Sequence, residues 1–329
     1  MISVLLPYRN ARATIGEAIG SVLRELGGDD ELVAIDDGST DGSGRIVGSM
    51  HDARIRRLET AGIGVARALA VGLDAARGEI LGRMDADDVS LAGRFAAERE
   101  MLEGDPSLGA VGVQIEVFGV ESEGMRAYVA WQNALVSAED HARAIYVESP
   151  LCHPATMIRR SALEAVGGFR DTSWPEDWDL WMRMHRGGFG LAKVPRVLFR
   201  WRRSPTTVTS RDPRCAPDRL LAARAFHLAA ELGDRSFAIW GAGRAGRRLA
   251  RELETHGRRV TFFGDIDPRK IGKTSRGAPI VEAEAAMKRA RDEQAYFVVS
   301  VATPGARDIV RSRLDRAGFV ERRDYVCAS

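Results

Sequence analysis

Short apolar runs alternating with helical patterns constrain the first 120 residues more tightly than any other feature of the chain. ISVLLP, ELVAID and EILGRM are brief, apolar and bounded by turn residues, so they read as buried strands, and RIRRLE and AVGVQIEVFG as two further ones. Between them lie TIGEAIGSVLREL, GVARALAVGLDAAR and GRFAAEREMLE, each with helical spacing. Thr14 followed by Glu17 predicts a capping box, and Gly78 predicts a C-terminal cap. Strands joined by crossover helices predict an α/β fold with a parallel sheet and helices on both faces. In such sheets ligands bind at the carboxyl ends of the strands.

Those ends carry acids. LGRMDADDVS places Asp85, Asp87 and Asp88 directly after a strand, and VAIDDGSTDGS places Asp36 and Asp37 at the end of another. If strand geometry persists, Asp85 and Asp87 project the same way. Crowded carboxylates repel unless a cation sits between them, and hard oxygens suit Mg²⁺ or Mn²⁺. The plainer reading of DDVS is an acidic helix start, and that of DDGSTDGS an Asx-type turn. LLPYRN adds Pro7, Arg9 and Asn10 at a third strand end. Three polar strand ends in one sheet converge on one crevice.

Residues 121–210 lack this rhythm and hold Trp174, Trp178, Trp181 and Trp201; SALEAVGGF and PEDWDLWMRMHRGG read as helices there. RDPRCAP marks a boundary, which divides the chain into residues 1–210, a linker helix over 211–234 and a second α/β domain over 235–329. That domain restarts the rhythm with AIWGAGRAGRRLA, a G-x-G-x-x-G of Gly241, Gly243 and Gly246 between strand and helix, with Asp265 ending the next strand. This is the context of a dinucleotide fingerprint, although the domain has length for only one mononucleotide-binding half. The plainer reading is a glycine turn that packs helix on strand.

Residues 235–329 carry 20 Lys+Arg against 12 Asp+Glu, and residues 1–210 carry 24 against 30. The basic part suits phosphates or an anionic lipid surface, or is simply a solvated arginine-rich face. No apolar stretch approaches membrane-span length. Three widely spaced cysteines fit neither a disulfide framework nor a zinc knuckle, and fit a reducing cytoplasm. A phospho-receiver would need a lysine near its acids, and the first lysine is Lys193.

ISVLLPYRNARATIGEAIGSVL, VAIDDGSTDGS, GEILGRMDADD and GGFRDTSWPEDWDLWMRM together resemble family 2 glycosyltransferases of the GT-A fold over roughly residues 1–205. The resemblance implies an inverting, metal-assisted transfer from a nucleotide-diphosphate sugar to a hydroxyl of a glycan or lipid-linked acceptor, with no nucleic acid involved. By this resemblance Pro7, Arg9, Asp36 and Asp37 line the nucleotide pocket, and Arg67 contacts the diphosphate, with Ala68 where an Asn is common. Asp85 and Asp87 form the D-x-D element, with Asp87 on Mn²⁺ or Mg²⁺. Asp177, with Glu176 beside it, corresponds to the general base, and His153 lies toward the acceptor side. Ser204 departs from the family's usual His in LFRWRRSPTT. GDIDPRKIGKTSRGAPIV resembles the small Rossmann-like domain of bacterial sugar acyltransferases, which implies nucleotide binding by Gly241, Gly243, Gly246 and Asp265.

The chemistry agrees with these assignments. A departing diphosphate needs a Lewis acid, and a poor hydroxyl nucleophile needs a carboxylate to take its proton. The expected location is cytoplasmic, with peripheral contact at the inner membrane face. Two other classes remain open at this level: an NAD(P)-linked sugar oxidoreductase run from the second domain, and a non-catalytic sugar-nucleotide binder.

Overall fold

The computed structural model describes residues 1–120, 122–203, 212–303 and 305–329. They form two compact units, one of Met1–Ala142 with Ser149–Asp212, the other of Arg143–Glu148 with Pro213–Ser329.

The first unit runs β1 (Ile2–Tyr8), α1 (Ile15–Leu23), β2 (Glu31–Asp37), α2 (Ser43–Ser49), β3 (Ile55–Thr60), α3 (Val65–Ala75), β4 (Ile80–Arg83), β5 (Val89–Ser90), α4 (Arg94–Gly104), β6 (Leu108–Gly119) and α5 (Glu123–Ala134). After α6 (Ala138–Ala144) follow β7 (Thr156–Arg159), α7 (Arg160–Ala165), α8 (Glu176–Arg186) and β8 (Gly190–Arg203). The sheet order is β3-β2-β1-β4-β7-β6-β8-β5. Strands β3, β2, β1 and β4 are parallel, as the rhythm predicts. The sheet as a whole is mixed, because β7 runs antiparallel to β4 and β6, and β5 antiparallel to β8. Chain order reverses around β1, with β2 on one side and β4 on the other, so a crevice opens at the carboxyl end of β1.

Apolar burial builds this frame. Val4, Leu6, Ala34, Ile15, Ile19, Val22 and Phe95 pack into one core. Two local expectations change. Thr14 precedes α1, but its hydroxyl donates to the Ala11 carbonyl, and no side-chain cap forms. Glu17 turns instead to Arg202. Helix α3 ends at Ala75, with Ala76 extended, so Gly78 is not its cap. Gly78 lies against β1, where a Cβ would stand 2.7 Å from the Ser3 amide nitrogen and 2.9 Å from the Met1 carbonyl oxygen.

The second unit holds α9 (Pro217–Leu232), β9 (Phe237–Trp240), α10 (Arg244–Thr255), β10 (Phe263–Asp265), β11 (Thr274–Ser275), β12 (Ala278–Glu282), α11 (Ala283–Asp292), β13 (Tyr296–Val299), α12 (Ala306–Arg316) and β14 (Tyr325–Cys327). Its sheet order is β11-β12-β10-β9-β13-β14, parallel apart from β11. Residues 143–148 belong to this unit through Arg224, which donates to the Tyr146 and Val147 carbonyls, and Arg143, which pairs with buried Glu321. No helix among the described residues is long and apolar enough to cross a membrane.

Candidate active site

The carboxyl ends of β1 and β2 are stitched together before any ligand is considered. Asn10, at φ 52°, accepts from the Thr40 amide at 2.8 Å and donates its own amide to the Ser39 hydroxyl at 3.0 Å. The Ala11 and Arg12 amides donate to Ser43 and Asp41 at 2.8 and 2.9 Å. Pro7 and Tyr8 pair with Ile35 and Asp36 across the sheet. Asp36 accepts from the Ser39 amide at 2.8 Å, and a Cβ on Gly44 would lie 2.7 Å from its other oxygen.

Asp37 is buried beside it. Burial pushes its acidity down in strength, but the Thr60 hydroxyl at 2.6 Å and the Ile63 and Gly64 amides at 2.7 and 2.9 Å outweigh that cost. Its carboxyl therefore ionises below the usual range, helped further by the Arg9 guanidinium. Arg9 is exposed and reaches over Gly62. Arg67 pairs with Asp171 at 2.8 Å, both largely exposed, which joins α3 to the GGFRD segment.

Beyond β4 the chain leaves strand geometry and turns, so the period-2 argument for Asp85 and Asp87 does not hold. The turn still gathers them: one carboxylate oxygen from each of Asp85, Asp87 and Asp88 lies within 4.8 Å of the other two. Arg83 supplies one positive charge, donating to Asp85 at 2.7 Å and to the Met84 carbonyl at 2.6 Å. Asp88 accepts from the Arg202 amide at 2.7 Å, while its second oxygen is buried without a partner among the described residues. Burial, then the Asp85 charge, pushes the Asp87 carboxyl up to about 6. Asp88 is raised for the same reasons, with Asp87 adding to them. Excess negative charge, hard oxygens and an orphaned buried acceptor fit a divalent cation of the Mg²⁺ or Mn²⁺ type.

Asp177 lies in the first turn of α8 and accepts from the Ser149 hydroxyl at 3.1 Å. Burial first, then neighbouring Glu176, raises its carboxyl, against a lowering by His153. His153 is buried, with Nδ1 3.8 Å from Glu176 and its ring edge-on to Trp181. The Cys152 thiol, next to His153 in the chain, is buried. Burial pushes it up first, and then the negative charges of Asp88, Asp85 and Asp177 do so together.

Trp178 and Trp181 are fully buried, which makes them core rather than sugar-facing platforms. Trp174 stays partly exposed and donates to Asp179 at 3.2 Å. Ser204 lies outside the described residues. Sequence reasoning left Asp88, Arg83, Ser149, Cys152 and Arg202 out of the site. Asp88 was visible as a strand-end acid; Arg202 and Asp87 are 115 positions apart, and no local pattern links them.

The second unit places Gly241 at φ 114°, where a Cβ would stand 2.3 Å from the Ser300 carbonyl oxygen. A Cβ on Gly246 would meet the Gly241 carbonyl oxygen at 1.9 Å, whereas Gly243 has open space. Asp265 is engaged within the protein: it accepts from the Ala242 and Asp267 amides at 2.8 and 2.9 Å and from Lys270 at 3.0 Å.

Comparison with known proteins agrees with this geometry. The profile described as Glycosyl transferase family 2 matches residues 3–167. Among curated relatives, the amylovoran biosynthesis glycosyltransferase AmsE of Erwinia amylovora is 24% identical over 220 residues, 64% of this chain and 79% of AmsE. Among solved structures, S. aureus TarS 1-349 in complex with UDP-GlcNAc is 18% identical at TM-score 0.57, covering 78% of this chain and 72% of that one. The mannosyltransferase PcManGT of Pyrobaculum calidifontis, in complex with GDP-Man and Mn²⁺, is 18% identical at TM-score 0.52, covering 97% and 80%. These structures share the GT-A fold of the first unit. A curled α/β sheet with acids gathered at its switch point, matched over half its length by one family, makes this chain a member of the family 2 glycosyltransferases.

Proposed function

We propose that the chain is an inverting glycosyltransferase that moves a sugar from a nucleotide-diphosphate donor to a hydroxyl of a glycan or lipid-linked acceptor. In this reading residues 1–210 form the transferase domain. Pro7, Arg9, Asp36 and Asp37 shape the nucleotide end of the crevice, and Arg67 reaches the diphosphate. Asp87 and Asp85 would hold the divalent ion, Asp85 being already paired with Arg83. When bound, Mn²⁺ or Mg²⁺ supplies Lewis acidity to the departing diphosphate.

Asp177 takes the proton of the acceptor hydroxyl. As that proton leaves, the acceptor oxygen forms its bond to the anomeric carbon from the face opposite the leaving group. The bond from that carbon to the phosphate oxygen breaks, and its electron pair departs with the nucleoside diphosphate. A raised carboxyl suits a base working near neutral pH, and such proton removal contributes about 10²–10⁴-fold in rate. Ser149 holds Asp177 in place.

The observation that carries the reading is the turn after β4, where one carboxylate oxygen from each of Asp85, Asp87 and Asp88 lies within 4.8 Å of the other two and the second Asp88 oxygen is buried without a partner among the described residues. Metal-type acids and a separate acid serving one region are what this reaction requires. Gly241, Gly243, Gly246 and Asp265 of residues 235–329 are assigned to a nucleotide or sugar nucleotide, with the open space above Gly243 as the place for its phosphate. The kinship with the amylovoran biosynthesis glycosyltransferase AmsE supports a glycan acceptor. Screening UDP-, GDP- and dTDP-sugars with and without Mn²⁺ tests the reading. Turnover that needs the ion, with product of opposite anomeric configuration by NMR, is the expected result; retained configuration or indifference to the ion would overturn it.

A further inference from the structure

The turn that gathers Asp85, Asp87 and Asp88 hangs between β4 and the two-residue strand β5. Strand β5 has one strand neighbour, β8, with Val89 opposite Arg200 and Ser90 opposite Phe199. The next contacts along that antiparallel pair are made by Arg202. Its amide donates to the Asp88 carboxylate at 2.7 Å, and its Nε donates to the Asp87 carbonyl at 2.6 Å. Its Nη2 reaches on to Glu17 of α1 at 2.6 Å, and the guanidinium lies 4.3 Å from the centre of the Phe118 ring. One planar fork thus ties the turn to β8, to α1 and to an aromatic face on β6.

We infer that Arg202 is the positioning residue of the ion-binding turn, fixing the Asp87 and Asp88 carboxylates at the spacing a divalent cation needs. The inference rests on the reading of Asp87 as an ion ligand. It follows from three facts taken together. The three acids repel one another, so an unheld turn would open. Among the described residues, Arg83's hydrogen bonds restrain the Asp85 side, through Asp85 itself and the Met84 carbonyl, while its charge also favours the ionised forms of Asp87 and Asp88. Arg202 meets Asp87 through its backbone carbonyl, which leaves that carboxylate free for an ion. The assignment also explains why Glu17 caps nothing in α1: its carboxylate is the far anchor of the fork. Lysine cannot copy this arrangement, because a single ammonium does not span two acceptors in one plane.

The test is binding of Mn²⁺ alone, followed by the loss of the free-ion electron paramagnetic resonance signal, on the full chain carrying Arg202→Met, Arg202→Lys, Glu17→Gln or Asp87→Asn. Groups that orient metal ligands typically contribute about 10–100-fold in affinity. Arg202→Met should weaken Mn²⁺ binding by at least about 10-fold. The Mn²⁺ concentration for half-maximal turnover should rise by the same factor, while kcat at saturating Mn²⁺ recovers to nearly the parent value. Arg202→Lys should fall between the two. A merely structural defect would lower kcat and leave the Mn²⁺ dependence where it was, which would overturn the assignment.

Parent-like Mn²⁺ binding by Arg202→Met, with binding lost in Asp87→Asn, would also overturn it and leave the ion site standing. Parent-like binding by Asp87→Asn would instead remove the ion site, and this inference with it. Should Arg202→Met fail to fold, Glu17→Gln removes only the exposed anchor of the fork. A measurable weakening of Mn²⁺ binding there supports the role, and an unchanged affinity counts against it.

Discussion

At Asp177 two demands meet in one carboxylate. Its oxygen accepts from Ser149, which favours the ionised form, yet burial and the adjacent Glu176 raise it above the ordinary carboxylate range. A base must be deprotonated to work. Turnover is therefore expected to fall as pH drops through a value above about 4, the ordinary Asp range. Asp177→Asn cannot accept the proton, and kcat should drop by about 10²–10⁴-fold while Mn²⁺-dependent nucleotide binding persists. An ionised carboxylate held partly out of solvent beside Glu176 costs stability, so this variant should unfold no earlier than the parent. A pH–rate profile of the parent, with nucleotide titration of the variant, checks both outcomes. Asp37 shows the opposite balance: its three donors hold it ionised, so it fixes the 60–64 turn at the carboxyl end of β2.

Elements that bury an uninterrupted apolar pattern were legible in the sequence. Strands β1, β2 and β4 and helices α1 and α3 lie where their apolar spacing puts them, because Leu6, Ala34 and Ile19 have no other place to go. Strand β8 was not legible. Its run GLAKVPRVLFRWRR carries Lys193, Pro195 and several arginines, and lies in the stretch 121–210 that lacks the strand–helix rhythm. The partners that make it a strand are remote: it pairs in parallel with β6 over its length, while Gln132 accepts from Lys193, Glu116 pairs with Arg200, and Asp87 and Glu17 hold Arg202. The acids of the site were visible for their chemistry, whereas the groups that orient them come from elements far off in the chain. Gly78 shows the same limit. A glycine after a helix suggests a cap, yet its function is close approach to β1. Gly78→Ala would press a methyl against the Ser3 nitrogen and Met1 oxygen, both backbone atoms that cannot swing aside. The expected cost is about 1–3 kcal/mol, the usual penalty for overpacking, read as a lower urea midpoint with an unchanged slope.

Charge is distributed along the whole molecule in a way that neither unit's fold requires. Residues 235–329 carry 20 basic against 12 acidic groups, a balance of +8, and residues 1–210 carry 24 against 30, a balance of −6. Much of the basic charge is matched locally: Arg276 with Glu254, Arg289 with Glu293, Arg311 with Glu321, and Arg313 with Glu284. Exposed pairs such as Arg289–Glu293 and Arg313–Glu284 add little to stability, about 0–1 kcal/mol each, so the surplus is not a stabilising device. A surplus of arginine over acid does create a field that draws anionic surfaces, worth about 1 kcal/mol per residue that reaches a lipid headgroup layer. A transferase acting on a lipid-linked acceptor gains from such a surface, since it holds enzyme and acceptor in two dimensions. The full chain is therefore expected to pellet with phosphatidylglycerol-containing vesicles at low salt and to release as ionic strength rises and the Debye length shrinks below about 8 Å. Neutral phosphatidylcholine vesicles should retain none of it. Retention on anionic vesicles that ignores salt would point to apolar insertion, and no pelleting at any salt would leave the +8 balance to the acceptor or the nucleotide alone.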